Sequence, residues 1–153
     1  MPLTIVHGDI TKIECDAIVN AARSNLKGGG GVDGAIHRAA GPELHEECIK
    51  LNGCKPGFAK ITKGYLLPCK YVIHTVGPRW WGGSSGEADI LHSCYYESLK
   101  LASEYGIKTI AFPLISTGAY RCPKDLVQQI ATDVITKYLE DHEMDVMLVF
   151  FDR

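Results

Sequence analysis

Short apolar runs rich in β-branched residues alternate along the chain with longer stretches in which apolar positions recur every three or four residues. Residues 3–6, 17–19, 71–75, 109–112 and 146–151 are runs of the first kind and predict strands. Their unbroken apolar character predicts strands covered on both faces. Leu91, Tyr95, Leu99 and Ala102 mark one face of a helix over residues 88–105, which ends before Gly106. Val127, Ala131, Val134 and Tyr138 do the same for residues 124–140, a helix opened by Pro123. Two shorter helices are predicted over residues 34–40 and 43–51, parted by Gly41-Pro42 and stopped by Gly53. Strands alternating with helices predict an α/β fold, a mostly parallel or mixed sheet between helical layers. Residues 80–86, two tryptophans followed by glycines and serines, predict a flexible loop too short to link domains. Residues 1–153 are expected to form one domain, large enough to bury about two-thirds of its unfolded surface.

Composition narrows the chemistry. Sixteen Lys and Arg against eighteen Asp and Glu give a net charge of −2, with no basic block. That excludes an extended nucleic-acid footprint and leaves backbone dipoles, not a lysine cluster, to hold any phosphate. The first nine residues lack the basic and apolar regions of a signal peptide, and no run is long enough to span a membrane. Six cysteines without a C-x-x-C pair read as reduced thiols of a cytoplasmic protein. His45 and Cys48 share a helix face near Cys54, but a second paired half is missing, so no metal is expected.

Candidate chemistry gathers at one junction. Four glycines, Gly28 to Gly31, run into a helical stretch that begins Val32-Asp33-Gly34-Ala35. A side-chain-free loop admits a ligand to bare backbone, and the helix behind it presents free N–H groups and the positive end of a dipole. Gly29, Gly31 and Gly34 match the dinucleotide fingerprint G-x-G-x-x-G, but eight residues separate them from the strand end at Val19. The position for an answering acid holds Cys54 and Lys55. No Lys-Ser/Thr pair follows, so the P-loop pattern fails as well. Asp33 in the first turn either stabilises the helix dipole or places a carboxylate beside a bound phosphate. Ser116-Thr117-Gly118 after the fourth strand is a common turn, or a second phosphate loop facing the first. Asp9 is a turn acid or an acceptor for an exocyclic amine, and Phe151 a core residue or a base-stacking one.

Together these segments resemble the macro domain family, in particular its bacterial O-acetyl-ADP-ribose deacetylase and mono-ADP-ribosyl hydrolase branch. The matching pieces are Gly8-Asp9-Ile10-Thr11, Ile18-Val19-Asn20-Ala21-Ala22, the stretch GGGGVDGAIHRAAG from Gly28 to Gly41, His74-Thr75-Val76-Gly77-Pro78, and Phe112-Pro113-Leu114-Ile115-Ser116-Thr117-Gly118. The resemblance implies a three-layer α/β/α sandwich with a mixed central sheet, binding ADP-ribose or O-acyl-ADP-ribose without a cofactor. It also implies mono-ADP-ribosylated proteins as partners. It implies that Asp9 and Ile10 receive the adenine, flanked by Phe151, and that Asn20, Gly30, Gly31, Val32 and Asp33 lie along the diphosphate and distal ribose. Ser116, Thr117, Gly118, Ala119 and Tyr120 would close the other side, and Asp33 would assist the hydrolytic water.

The chain departs from the family at Arg23, where the hydrolases carry asparagine. Asparagine both donates and accepts, whereas arginine only donates and stays charged. Arg23 is expected to pair with Asp33 or to reach the diphosphate, giving retained binding with impaired turnover; a non-catalytic ADP-ribose reader is the alternative. Arg121-Cys122-Pro123 replaces the family's glycine, aromatic and proline, and the helix that follows the last strand in relatives is not expected here.

Overall fold

The computed structural model describes residues 3–151. Six strands form one sheet: β1 (Leu3–His7), β2 (Cys15–Ala21), β3 (Ala59–Lys63), β4 (Cys69–Thr75), β5 (Thr109–Pro113) and β6 (Asp145–Phe150). Their spatial order is β1-β6-β5-β2-β4-β3. All neighbours run parallel except β3, which pairs antiparallel with β4. Two helices, α1 (Gly31–Ala40) and α2 (Pro42–Lys50), lie on one face; α3 (Glu87–Glu104) and α4 (Lys124–Leu139) lie on the other.

Strand alternation explains the two cores. Ala17, Val19, Ile73, Ile110, Phe112, Val146 and Leu148 pack against α3 and α4. The residues between them, Ile18, Val72, Ala111 and Val149, pack against α1 and α2 with Ile36, Ala40, Leu44 and Cys48. A central parallel strand therefore needs apolar side chains on both faces, as Ala17-Ile18-Val19 and Ile110-Ala111-Phe112 supply. The result is an α/β/α sandwich with a mixed sheet.

Several expectations need correction. β1 is not covered on both faces: as an edge strand pairing only with β6 it leaves Thr4 exposed and Ile5 44% exposed. β3 was not predicted, because Ala59-Lys60-Ile61-Thr62-Lys63 carries only a weak alternating pattern. It is the other edge, where lysines discourage further strand addition. Helix α1 begins at Gly31, three residues before the predicted start, since glycines conceal the helical pattern. The 80–86 loop is tied down rather than free. The buried Glu87 carboxylate accepts from the N–H groups of Trp81 (2.8 Å), Gly83 (3.0 Å) and Ser85 (2.7 Å). These bonds, Trp81's foremost, pull the Glu87 carboxyl down to about 2.

Tyr95 connects the α3 core to the segment that follows β5. Its hydroxyl donates to the Pro113 carbonyl (2.7 Å) and accepts from the Ile115 N–H (3.0 Å), with the ring fully buried beside Phe112. Tyr95→Phe should leave both backbone groups unpartnered in an apolar surround and cost ~1–3 kcal/mol in urea denaturation. An unchanged midpoint would show that these bonds do not hold the segment.

Candidate active site

The glycine run supplies the loop between β2 and α1. Gly30 is the N-cap of α1 and offers no side chain to cap the helix. The one recorded bond here runs from Gly34 N–H to the Gly30 carbonyl at 3.2 Å, so the N–H groups of the first turn remain available. Gly31 has φ +57°, a left-handed conformation that a side chain would strain. Bare donors and the positive dipole end thus face the same side, which is what an anion requires.

Asp33 stands in that first turn and is buried. Its two oxygens differ. Oδ1 accepts from the Asn20 amide at 2.8 Å and lies 3.4 Å from His37 Nε2, one turn further along α1. Oδ2 is buried and has no hydrogen-bond partner among the described residues. Gly29 borders this oxygen: a Cβ placed there would stand 3.2 Å from Oδ2 and 2.9 Å from Arg23 Nε. Despite that proximity Arg23 does not pair with Asp33. Its side chain extends at the exposed rim of the loop and forms no ion pair with the carboxylate.

Asn20 is fully buried beneath Asp33. Its amide nitrogen also lies 3.1 Å from His74 Nδ1. An amide nitrogen only donates, so Nδ1 accepts and the His74 proton sits on Nε2, where it meets Thr62 Oγ1 at 2.9 Å. Thr62 in turn donates to the Lys63 carbonyl at 3.1 Å. A continuous polar line therefore crosses the sheet from β3 through β4 and β2 to α1. Burial, together with the neighbouring His37, drives His74 down to about 3 and keeps the ring neutral. Cys48 Sγ lies 3.7 Å from the same Nε2, and burial followed by the Asp33 charge pushes its thiol up to about 12.

The second loop, Ser116 to Tyr120, follows β5. Ser116 has φ +65° and Arg121 has φ +65°, unusual for residues with side chains. Bonds from Cys122 N–H to the Ser116 carbonyl (2.9 Å) and from Arg121 N–H to the Gly118 carbonyl (3.0 Å) close the loop on itself. Thr117 Oγ1 donates to the Leu114 carbonyl (2.8 Å), and Trp80 N–H to the Tyr120 carbonyl (2.8 Å). Arg79 lies 5.3 Å above the Tyr120 ring. The N–H groups of Gly118, Ala119 and Tyr120 make no bond among the described residues. Ser116 packs onto Gly77 so closely that any Cβ there would collide with the serine side chain.

At the end of β1, Asp9 Oδ1 accepts from Thr11 N–H (2.9 Å) and Thr11 Oγ1 (2.7 Å), capping a one-turn 3-10 helix over Ile10–Lys12. The Thr11 hydroxyl bond, foremost, lowers the Asp9 carboxyl below its usual range. Ile10 is buried. A bond from Gly8 N–H to the Phe150 carbonyl (2.9 Å) joins the ends of β1 and β6, so Asp9 and Phe151 leave the sheet side by side. Phe151 is 58% exposed, with a face free to stack.

All these segments follow the carboxyl ends of parallel strands, where ligands gather in such sheets. The Macro domain family model matches residues 19–131. The chain belongs to the macro domain family. A macro domain-containing protein of Methanosarcina mazei is 58% identical over 153 residues, covering 99% of this chain and 82% of that protein. The protein named O-acetyl-ADP-ribose deacetylase in Citrobacter rodentium is 53% identical over 139 residues, covering 88% of this chain and 78% of that one. The Trypanosoma brucei macrodomain, solved in complex with ADP-ribose, superposes with a TM-score of 0.92 at 42% identity. That match covers 99% of this chain and 64% of the other.

Within this macro domain the structure brings Asn20, Arg23, Gly30, Gly31, Val32 and Asp33 together at one junction. Ser116 to Tyr120 are held on the neighbouring strand, and Asp9, Ile10 and Phe151 at the far end of the sheet. Sequence reasoning did not single out Thr62, His74 or His37 as supports of Asp33. One signal was available: His74 and Thr75 are polar residues in a strand expected to be buried on both faces, where each polar group needs a partner. His45, Cys48 and Cys54 do not converge; among the described residues no three His, Cys, Asp or Glu side chains are placed to hold a metal.

His74 gives stability a pH dependence. Below its ordinary value near 6.5 the unfolded chain takes up a proton that the native ring refuses until about pH 3. Native stability should therefore be full above pH 6.5 and fall, by up to ~1.4 kcal/mol per pH unit, as pH drops toward 3. Denaturant titrations of the wild type and His74→Asn at pH 7, 6, 5 and 4 check this. The wild type should lose stability faster, and parallel curves would refute the assignment.

Proposed function

We propose that this macro domain binds ADP-ribose through its diphosphate and hydrolyses adducts at the distal ribose, either O-acyl-ADP-ribose or mono-ADP-ribosylated protein. The observation that carries this is the asymmetry of Asp33: one oxygen anchored by Asn20 and His37, the other buried, unpartnered and beside an uncapped helix start. A carboxylate so held is prepared to take a proton. A water between Asp33 Oδ2 and the substrate gives its proton to that oxygen while its own oxygen attacks the acyl carbon or the ribose anomeric carbon. At the acyl carbon the ester C–O bond then breaks, the ribose oxygen takes back the proton held by Asp33 and leaves in ADP-ribose, and the acid is released. At the anomeric carbon the bond to the carrier's oxygen breaks, that oxygen leaves on the carrier with the proton, and ADP-ribose keeps the water's oxygen. Such assistance is typically worth about 10²–10⁴-fold. The free N–H groups of Gly30, Gly31 and Val32 on one side, and of Gly118, Ala119 and Tyr120 on the other, suit a diphosphate. Asp9 and Ile10 suit the adenine edge and Phe151 its face, with Ser116 and Thr117 shaping the loop.

Arg23 favours a second reading, a binding module with little turnover. It stands where the hydrolases have asparagine, and its guanidinium cannot accept a ribose hydroxyl proton. The named deacetylase and the ADP-ribose-bound macrodomain support hydrolysis and binding respectively. Six free thiols favour a reducing, cytoplasmic setting.

Single-turnover release of ADP-ribose from a mono-ADP-ribosylated protein, and of acetate from O-acetyl-ADP-ribose, separates the two readings. Asp33→Ala should slow release about 10²–10⁴-fold. Arg23→Asn should raise it, while calorimetry shows ADP-ribose binding in all three proteins. No release by either the wild type or Arg23→Asn would leave the reader alone; no binding would overturn both.

A further inference from the structure

Beside the glycine loop lies a groove of about 480 Å³ that shares Gly29 and His37 with the Asp33 site and otherwise lies outside the reading above. Gly28, Gly29 and Gly34 form a side-chain-free wall, and the charged lining comes from Lys27 and Arg38, beside the rings of His37 and His45. No carboxylate lines it, although the chain as a whole carries more acids than bases. Neither the Lys27 ammonium nor the Arg38 guanidinium has a hydrogen bond or ion pair among the described residues. Arg38 is nonetheless placed: a Cβ on Gly34 would stand 3.1 Å from its Nη1, so the guanidinium lies back across the first turn of α1. Elsewhere on this face lysines find partners, as Lys60 does at the Leu51 carbonyl (2.7 Å). A pair of uncompensated cations in one concave, open-walled site is poised for an anionic partner.

Its position says which kind. Gly29 lines the groove and also borders the open oxygen of Asp33. A chain attached to the distal ribose beside Asp33 has the groove directly across the loop. We propose that the groove receives an acidic stretch of the ADP-ribosylated polypeptide, so that carboxylates flanking the modified residue select the carrier protein. This rests on the reading that the junction binds ADP-ribose adducts. Free ADP-ribose has nothing to put into the groove, so the groove contributes to recognition of the carrier and not of the nucleotide. Charge pairing of this sort acts through approach and discrimination and weakens with salt.

The test uses synthetic peptides of equal length bearing one ADP-ribose through a non-hydrolysable linkage, flanked by acidic, neutral or basic residues. Affinities are measured by calorimetry at low and at physiological salt, with free ADP-ribose alongside. The acidic peptide should bind about tenfold more tightly than the neutral one at low salt, with the advantage shrinking as salt rises. Lys27→Gln/Arg38→Gln should abolish that advantage while leaving free ADP-ribose within twofold of wild type. Equal affinity for the three peptides, or a preference unchanged in the double variant, would overturn the proposal. So would tighter binding of an ADP-ribose dimer than of the acidic peptide, lost in the same variant, since the groove would then take a second nucleotide. Failure of free ADP-ribose itself to bind would instead remove the reading on which the proposal stands.

Discussion

A side-chain amide has two hydrogens, and at Asn20 both are committed in a place with no access to water. One goes to Asp33 Oδ1 and one to His74 Nδ1. Each commitment constrains the next group. The carboxylate accepts only, so the Asn20 nitrogen must face it; the nitrogen donates only, so His74 must carry its proton on the far side; and Thr62 must then turn its own proton to the Lys63 carbonyl. Four side chains on three strands and a helix are thereby oriented by donor and acceptor counting alone. The consequence at the surface is a carboxylate whose rotation is blocked and whose second oxygen is left over. Buried polar groups usually find partners, and those that do not mark sites where a ligand or water completes the set. Asn20 Oδ1 and Ser116 Oγ are also left over, and both belong to the same end of the sheet.

The loops after β4 and β5 are held from beneath in a comparable way. Tyr95 ties the backbone after β5 to the α3 core, Gly77 lets Ser116 settle against the neighbouring strand end, and Glu87 gathers the loop that reaches Tyr120. The left-handed conformations at Ser116 and Arg121 run against side-chain preference, and they persist because these anchors over-determine the path. Pre-set loops with free N–H groups need little ordering when an anion arrives, so a chain of net charge −2 needs no cluster of cations to offer an anion site.

Charge is distributed by task. Beside Asp33 the Arg23 guanidinium stays at the rim and forms no ion pair with the carboxylate among the described residues. Lys27 and Arg38, without ion pairs among the described residues, line the groove beside the glycine loop. Bare backbone donors and side-chain cations thus occupy different parts of the same loop region.

The sequence by itself determined the alternation of strands and helices, the glycine junction, the first-turn position of Asp33 and the family. All are local patterns: apolar periodicity, a side-chain-free loop, an acid at a helix start. It could not reveal β3, whose pattern is diluted by edge lysines, nor that Glu87 ties down a loop that reads as free. It suggested a pairing of Arg23 with Asp33 that the fold does not make. Only the tertiary structure decided how Asp33 is held, because Thr62, His74 and Asn20 are far apart in the chain and meet through the antiparallel pairing of β3 with β4 and the parallel pairing of β4 with β2. Local sequence specifies which elements form; hydrogen-bond satisfaction across elements depends on their packing, which no single segment encodes.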